Sequence, residues 1–193
     1  MSKSAREKLL DVTFQEVYKN GYAATSIDSI LKRAGVPKGS LYHHFGSKKS
    51  LVIAMIKERL FPKMESFFVF KKREGLTIYQ SFEKILQSVA KNRMLIENGC
   101  PMYRLMVELS SVDSDFDKLL LENYEQMLKS INYMLILGIR EGEFSKELDS
   151  KVFAKFMISS VWGVLSLSPS ISSSKNFLEQ TSFILKALKI YKS

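Results

Sequence analysis

TSIDSILKRAGVPKGSLYHHFG, residues 25–46, is the stretch on which the rest of the chain is read. It predicts two short helices meeting at a tight turn. The first starts at Thr25, with Asp28 three residues on; Ile27, Ile30 and Leu31 form its inner face, and Gly35 stops it. The second enters at Pro37-Lys38, where proline's missing N–H has no helical partner, and runs to about Phe45. Leu41 and Phe45 lie about 40° apart on its inner side, taking about 100° per residue. On the same scale Gly39 and His43 fall about 160° and 200° from Leu41, and Ser40 and Tyr42 flank them. The exposed face is therefore Gly39, Ser40, Tyr42 and His43, with Lys38 at the first turn and His44 nearer the edge. This is a helix-turn-helix pattern, whose second helix enters the major groove of DNA.

Working outward, Ser4 and Glu7 form a capping box ahead of Leu10, Phe14 and Val17, a helix ended by Asn20-Gly21. This helix closes a small core over the other two. Ser47 caps a longer helix, Lys48 to about Arg73, which Pro62 is expected to kink or split. Further helices are expected at about 77–98, 101–111, 114–141, 149–167 and 175–191. Their punctuation is Gly75-Leu76-Thr77, Asn98-Gly99, Asp113-Ser114, Gly142 and Ser168-Pro169-Ser170. No convincing period-two strand and no internal repeat is found. The expected class is all-α, about nine helices.

The chain has 193 residues and a net charge of +9. Residues 1–60 hold eleven Lys/Arg and five Asp/Glu, so six of the nine surplus charges sit in the first third. Such a bias suits a polyanionic partner. The N-terminal stretch mixes charges through its apolar positions, unlike a signal peptide. The tract 156–174 lacks charge, but its apolar part is too short to span a bilayer. A cytoplasmic location without membrane association is the expectation. One cysteine, Cys100, excludes an intramolecular disulfide. The neighbouring His43 and His44 point apart on a helix, with no local Asp, Glu or Cys to join them, so neither metal nor cofactor is expected.

From Ser4 to Leu51 the chain resembles the DNA-binding domain of TetR-family transcriptional regulators. Tyr22 to Asp28 and Ala34 to Lys49 carry most of the likeness. The resemblance implies a three-helix head, residues 1–47, and a helical ligand-binding and dimerisation domain, residues 48–193. It implies a homodimer that binds double-stranded operator DNA, usually to repress, and lets go when a small-molecule inducer, of unknown identity, is bound. Carried over residue by residue, Thr25, Tyr42, His44 and Lys48 match phosphate contacts. Lys38, Gly39 and Ser40 match the base-proximal start of the recognition helix. His43 stands where the family often has an aromatic ring, and is retained as a DNA contact.

By the same resemblance an inducer pocket is expected among the helices of 61–165. Its candidate lining is Met102, Tyr103, Met106, Tyr124, Met127 and Trp162, since methionine and aromatic side chains make an adaptable apolar wall. Arg104 and Glu108, four apart, are expected to pair with each other, or Arg104 to meet an acidic ligand. The dimer is expected through the last two helices, along Val152, Phe156, Ser159 and Gly163, then Phe177, Ile184, Leu188 and Tyr191. Three other readings stand beside this one: a small helical enzyme, for which no nucleophile–base pair or phosphate loop is found; a basic protein of the membrane surface; and a redox or electrophile sensor acting through Cys100, near a helix N-terminus that lowers a thiol pKa.

Overall fold

The computed structural model describes residues 3–68, 70–167 and 171–192. Helix α1 (Ala5–Asn20) begins at the expected box: Ser4 accepts from the Glu7 amide while the Glu7 carboxylate takes the Ser4 amide. Helix α2 (Ile27–Ala34) is capped by Ser26, whose hydroxyl accepts from the Ser29 amide, and not from Thr25. The Thr25 hydroxyl instead donates to the Gly21 carbonyl at 2.7 Å. Gly35 takes a left-handed conformation (φ 64°, ψ 39°), which glycine adopts without a Cβ penalty, and the chain turns into α3 (Lys38–Phe45).

Helix α4 (Lys48–Met55), capped by Ser47, continues without a break through a π turn (Ile56–Leu60) into α5 (Phe61–Phe67). The expectation that Pro62 would kink or split this helix is therefore met differently. Proline withholds an N–H, and the ladder adjusts by one wide turn just ahead of it. The Glu58 carbonyl, which an amide at position 62 would have met, accepts from the Arg59 guanidinium at 3.1 Å. The helix ends at Phe67, short of the expected Arg73.

Residues 1–66 with 101–118 pack as one compact unit, and 67–100 with 119–193 as a second. The expected division after residue 47 cuts through the first of these. In that unit α1 packs on α2, α3, α4 and the π turn. Leu9, Leu10, Ile30, Leu41, Leu51 and Val52 are fully buried there. Helix α8 (Pro101–Leu109) and the first turn of α9 (Ser114–Arg140) belong to it as well. Ion pairs Arg59–Asp11 (2.6 Å) and Arg6–Glu58 (2.5 Å) tie the π turn to α1.

In the second unit one expected helix, 77–98, is two: α6 (Ile78–Lys91) and α7 (Arg93–Asn98). Asn92 separates them because its side chain caps α7, accepting from the Leu95 amide. Helix α6 starts at a Thr77/Gln80 capping box, and its first amides, Ile78 and Tyr79, also donate to the Glu143 carboxylate at 2.7 and 2.9 Å. Helix α11 (Ser174–Lys189) packs along α6 and against α10 (Ser150–Leu165). Among the described residues the only extended pairing is an isolated bridge between Phe144 and Lys192. The expected punctuation at Ser168-Pro169-Ser170 lies outside the described residues. Among the described residues no helix is long and apolar enough to cross a membrane.

Candidate functional site

The first unit presents α3. Leu41 is wholly buried, and Lys38, Gly39, Tyr42, His43 and His44 are exposed, with Ser40 half-buried. Tyr42 shows 46% of its surface, a large amount for an aromatic ring. The two imidazoles meet edge to face, centroids 5.0 Å apart. No acidic side chain lies on this helix. Its placement comes from α1 and α2: Glu16, buried on α1, accepts from the Ser29 hydroxyl at 2.7 Å and pairs with the Arg33 guanidinium. These donors hold the Glu16 carboxyl below the usual carboxylate range although burial opposes them.

The turn joining α1 to α2 is held by residues distant in sequence. The Glu108 carboxylate accepts from the amides of Tyr22 (2.9 Å) and Ala23 (2.7 Å). Lys48 donates to the Tyr22 carbonyl at 2.7 Å and sits 4.3 Å above the Tyr22 ring. Burial lowers the Lys48 pKa, and the Glu108 charge opposes that shift. Lys49 pairs with Asp113 (2.8 Å) and Asp115 (2.7 Å), which push its pKa up to about 12. Arg104 donates to the carbonyls of Tyr18 and Lys19 at 3.0 and 3.2 Å, at the end of α1.

This corrects the expectation for Arg104 and Glu108. They do not pair with each other; each binds backbone of the first unit. The open carbonyls at the end of α1 supply acceptors for the guanidinium, and the loop amides supply donors for the carboxylate. Thr25 and Lys48, expected as phosphate contacts, are both engaged here. The single proton of the Thr25 hydroxyl is committed to Gly21, and Thr25 is buried. Lys48 has one of its three protons on Tyr22.

The second unit holds a narrow apolar cavity, open to solvent on one side. Phe82, Ile85, Leu86 and Val89 of α6 form one wall, Met127 and Ile131 of α9 a second, and Met157, Ile158, Val161 and Trp162 of α10 a third. Phe68 and Phe70 complete it, their rings stacked at 6.0 Å. Of the six expected pocket residues, Met127 and Trp162 line this cavity. Tyr124 does not line it but packs on the Trp162 ring at 5.4 Å. Met102, Tyr103 and Met106 lie on α8 in the first unit and are not part of it. Helix α8 turns Pro101 and Leu105 toward Phe14 and Val17 of α1 and Met55 of α4, in the core of the first unit. The walls from α6 were missed; the apolar spacing of Phe82, Ile85, Leu86 and Val89 was the available signal. Cys100 is buried, exposed by only 2%, which shields its thiol from solution oxidants.

On α10, Val152, Phe156, Ser159 and Gly163 are exposed. On α11 the expected stripe is turned inward. Phe177, Ile184 and Leu188 are buried in their own subunit, where α11 packs along α6, and the half-buried Tyr191 ring meets Phe153. The exposed apolar residues of that helix are Leu178 and Phe183, with Ile190 just after it.

Residues 9–55 match the family model described as bacterial regulatory proteins, tetR family. Residues 78–176 match the one described as tetracyclin repressor-like, C-terminal domain. An uncharacterized HTH-type transcriptional regulator from Lactococcus lactis subsp. lactis is 32% identical over 133 residues, 67% of each chain. The HTH-type transcriptional repressor DhaR of Mycobacterium sp. (strain GP1) is 25% identical, over 83% of this chain and 80% of its own. In fold, the chain is similar to a TetR transcriptional regulator from Chloroflexus aurantiacus, with a TM-score of 0.85 at 20% identity, covering 97% of this chain and 96% of that one. Two family models are thus matched one after the other along the chain, and the chain belongs to the TetR family of bacterial regulatory proteins, a transcriptional regulator.

Proposed function

We propose that the protein is an operator-binding repressor whose grip on DNA is released by a small molecule held in the cavity of the second unit. The carrying observation is the face of α3: five exposed residues and one half-buried, basic or polar, over a single fully buried leucine. Lys38, Gly39 and Ser40 approach base edges from the helix start. Tyr42, His43 and His44 reach phosphates or groove edges, and Lys48 offers its remaining protons to a phosphate. Thr25 serves by holding the turn and not by touching DNA. Contacts of this kind fix register, and fewer of them read bases.

The protein acts as a homodimer, since two heads on a near-palindromic site multiply their specificity. The stripe Val152, Phe156, Ser159 and Gly163, with Leu178 and Phe183 of α11, is the surface proposed for it. Small residues in that stripe let helices approach closely. Ligand and operator then oppose each other through one shared coupling free energy, about 1–3 kcal/mol or more.

Selection of duplexes from a random pool, followed by titration at several salt concentrations, tests this reading. A two-fold-symmetric motif is expected, with affinity falling as salt rises. Lys38→Ala should lower the salt slope by about one, and Tyr42→Ala should weaken binding. Binding no tighter to the recovered motif than to random duplex would defeat the proposal.

A further inference from the structure

The walls of the cavity say what it can hold. A quarter of this chain's residues are charged, yet among the described residues none that lines the cavity carries a charge, and of these the Trp162 indole is the only side chain with a hydrogen-bonding proton. An ion carried into such a place leaves its hydration behind and meets no counter-charge. A hydrocarbon or aromatic surface loses only contact with water, which favours entry. Met127 and Met157, on facing helices, are unbranched and polarizable, and adapt to a flat ring at little cost. The stacked Phe68 and Phe70 rings offer a second flat surface.

We infer that the ligand is uncharged and predominantly apolar, an aromatic or hydrocarbon compound, and neither an organic cation nor a carboxylic acid. This rests on reading the cavity as the ligand site. Arg104, expected to pair with Glu108 or else to meet an acidic ligand, is not part of this cavity; it binds the end of α1 in the first unit.

Trp162 is the chain's one tryptophan, so its emission reports on this cavity alone. The probes are ethylbenzene, benzoate and benzylammonium, three single-ring molecules of nearly one size. They are titrated into the full-length protein without DNA. The neutral compound should change Trp162 emission saturably and shift the methyl resonances of Met127 and Met157. Each ion should bind at least about a hundredfold more weakly. Val161→Phe, which fills the cavity, should weaken the neutral compound at least about tenfold. Should that variant fail to fold, the three-probe series on the native chain still decides the matter.

An ion binding as tightly as the neutral parent would overturn the inference while leaving the cavity as a ligand site. Silence of Trp162 and both methionines toward all three probes would overturn the inference and the cavity reading together. Operator binding, measured separately, stands or falls by its own titration.

Discussion

Gly21 and Gly99 occupy nearly the same backbone conformation, one in each unit. Gly21 ends α1 at φ 84°, ψ 172°; Gly99 ends α7 at φ 78°, ψ −175°. This region is essentially reserved for glycine. What surrounds them differs. A Cβ on Gly21 would lie 2.9 Å from the Glu108 Oε2, the tip of a side chain that can swing. A Cβ on Gly99 would lie 2.7 Å from the Leu165 carbonyl oxygen, which is backbone of a helix end. At this position the first unit closes on a polar side-chain tip. The second closes on backbone. The contrast extends to the apolar cavity of the second unit and the network of Glu108, Lys48, Lys49 and Arg104 in the first.

Substitution at the two glycines tests the contrast most strongly. Gly99→Ala meets both the strain of its conformation and an obstacle that cannot move aside, and should cost about 3–5 kcal/mol in urea unfolding. Gly21→Ala meets the strain and a side chain able to yield, and should cost about 1–3 kcal/mol. Equal costs would mean that the Glu108 carboxylate is held as rigidly as backbone.

The next effect is that of Glu108 itself. Glu108→Ala leaves the Tyr22 and Ala23 amides without their acceptor and should destabilise the chain by about 2–3 kcal/mol. Glu108→Gln keeps one acceptor oxygen and should lose about half of that. Gly21→Ala should then cost less in the Glu108→Ala background than alone, because the tip its Cβ would meet is gone. Additive costs in that double variant would break the proposed coupling between turn and carboxylate.

These two regions were not equally legible in the sequence. Local signals served well in both. Ser4/Glu7, Gly35 and Ser47 in the first unit and Thr77 in the second mark helix ends because capping is a matter of three or four neighbouring residues. The face of α3 followed from helical spacing around one leucine. The clasp on the Tyr22 turn was invisible, because Glu108 lies 86 residues from the amide it binds. No period or spacing within one helix carries that distance, and the i, i+4 rule suggested instead that Glu108 pairs with Arg104. The cavity failed for another reason. Met and aromatic residues announce an apolar interior, but the chain has two such interiors, and composition could not tell that Met102, Tyr103 and Met106 lie in the first unit while Met127 and Trp162 line the cavity of the second. On α11, helical spacing found the apolar face at Phe177, Ile184 and Leu188 correctly. It could not tell that α6 of the same subunit covers that face.

The smallest effect concerns the polar first unit alone. Glu16 accepts from Ser29 and Arg33, and these bonds hold its carboxyl below the usual range against the pull of burial. On acidification the unfolded chain takes up its proton first, near the ordinary glutamate value of about 4.3. The folded chain resists until the pH reaches its own lower value. The contribution of Glu16 to stability is therefore whole above the unfolded pKa and is lost as the pH falls through the folded one. Glu16→Gln has no such proton to take. Between about pH 6 and about pH 3 the urea midpoint of the native chain should fall more steeply than that of the variant. Asp11, Glu58 and Asp113, also lowered by their basic partners, stay in both chains and largely cancel in the difference. Parallel curves would show that the Ser29 and Arg33 bonds to Glu16 are not kept in solution. The link that fixes α2 to α1 would then be apolar after all, and the contrast between the two units would narrow to the clasp at Tyr22.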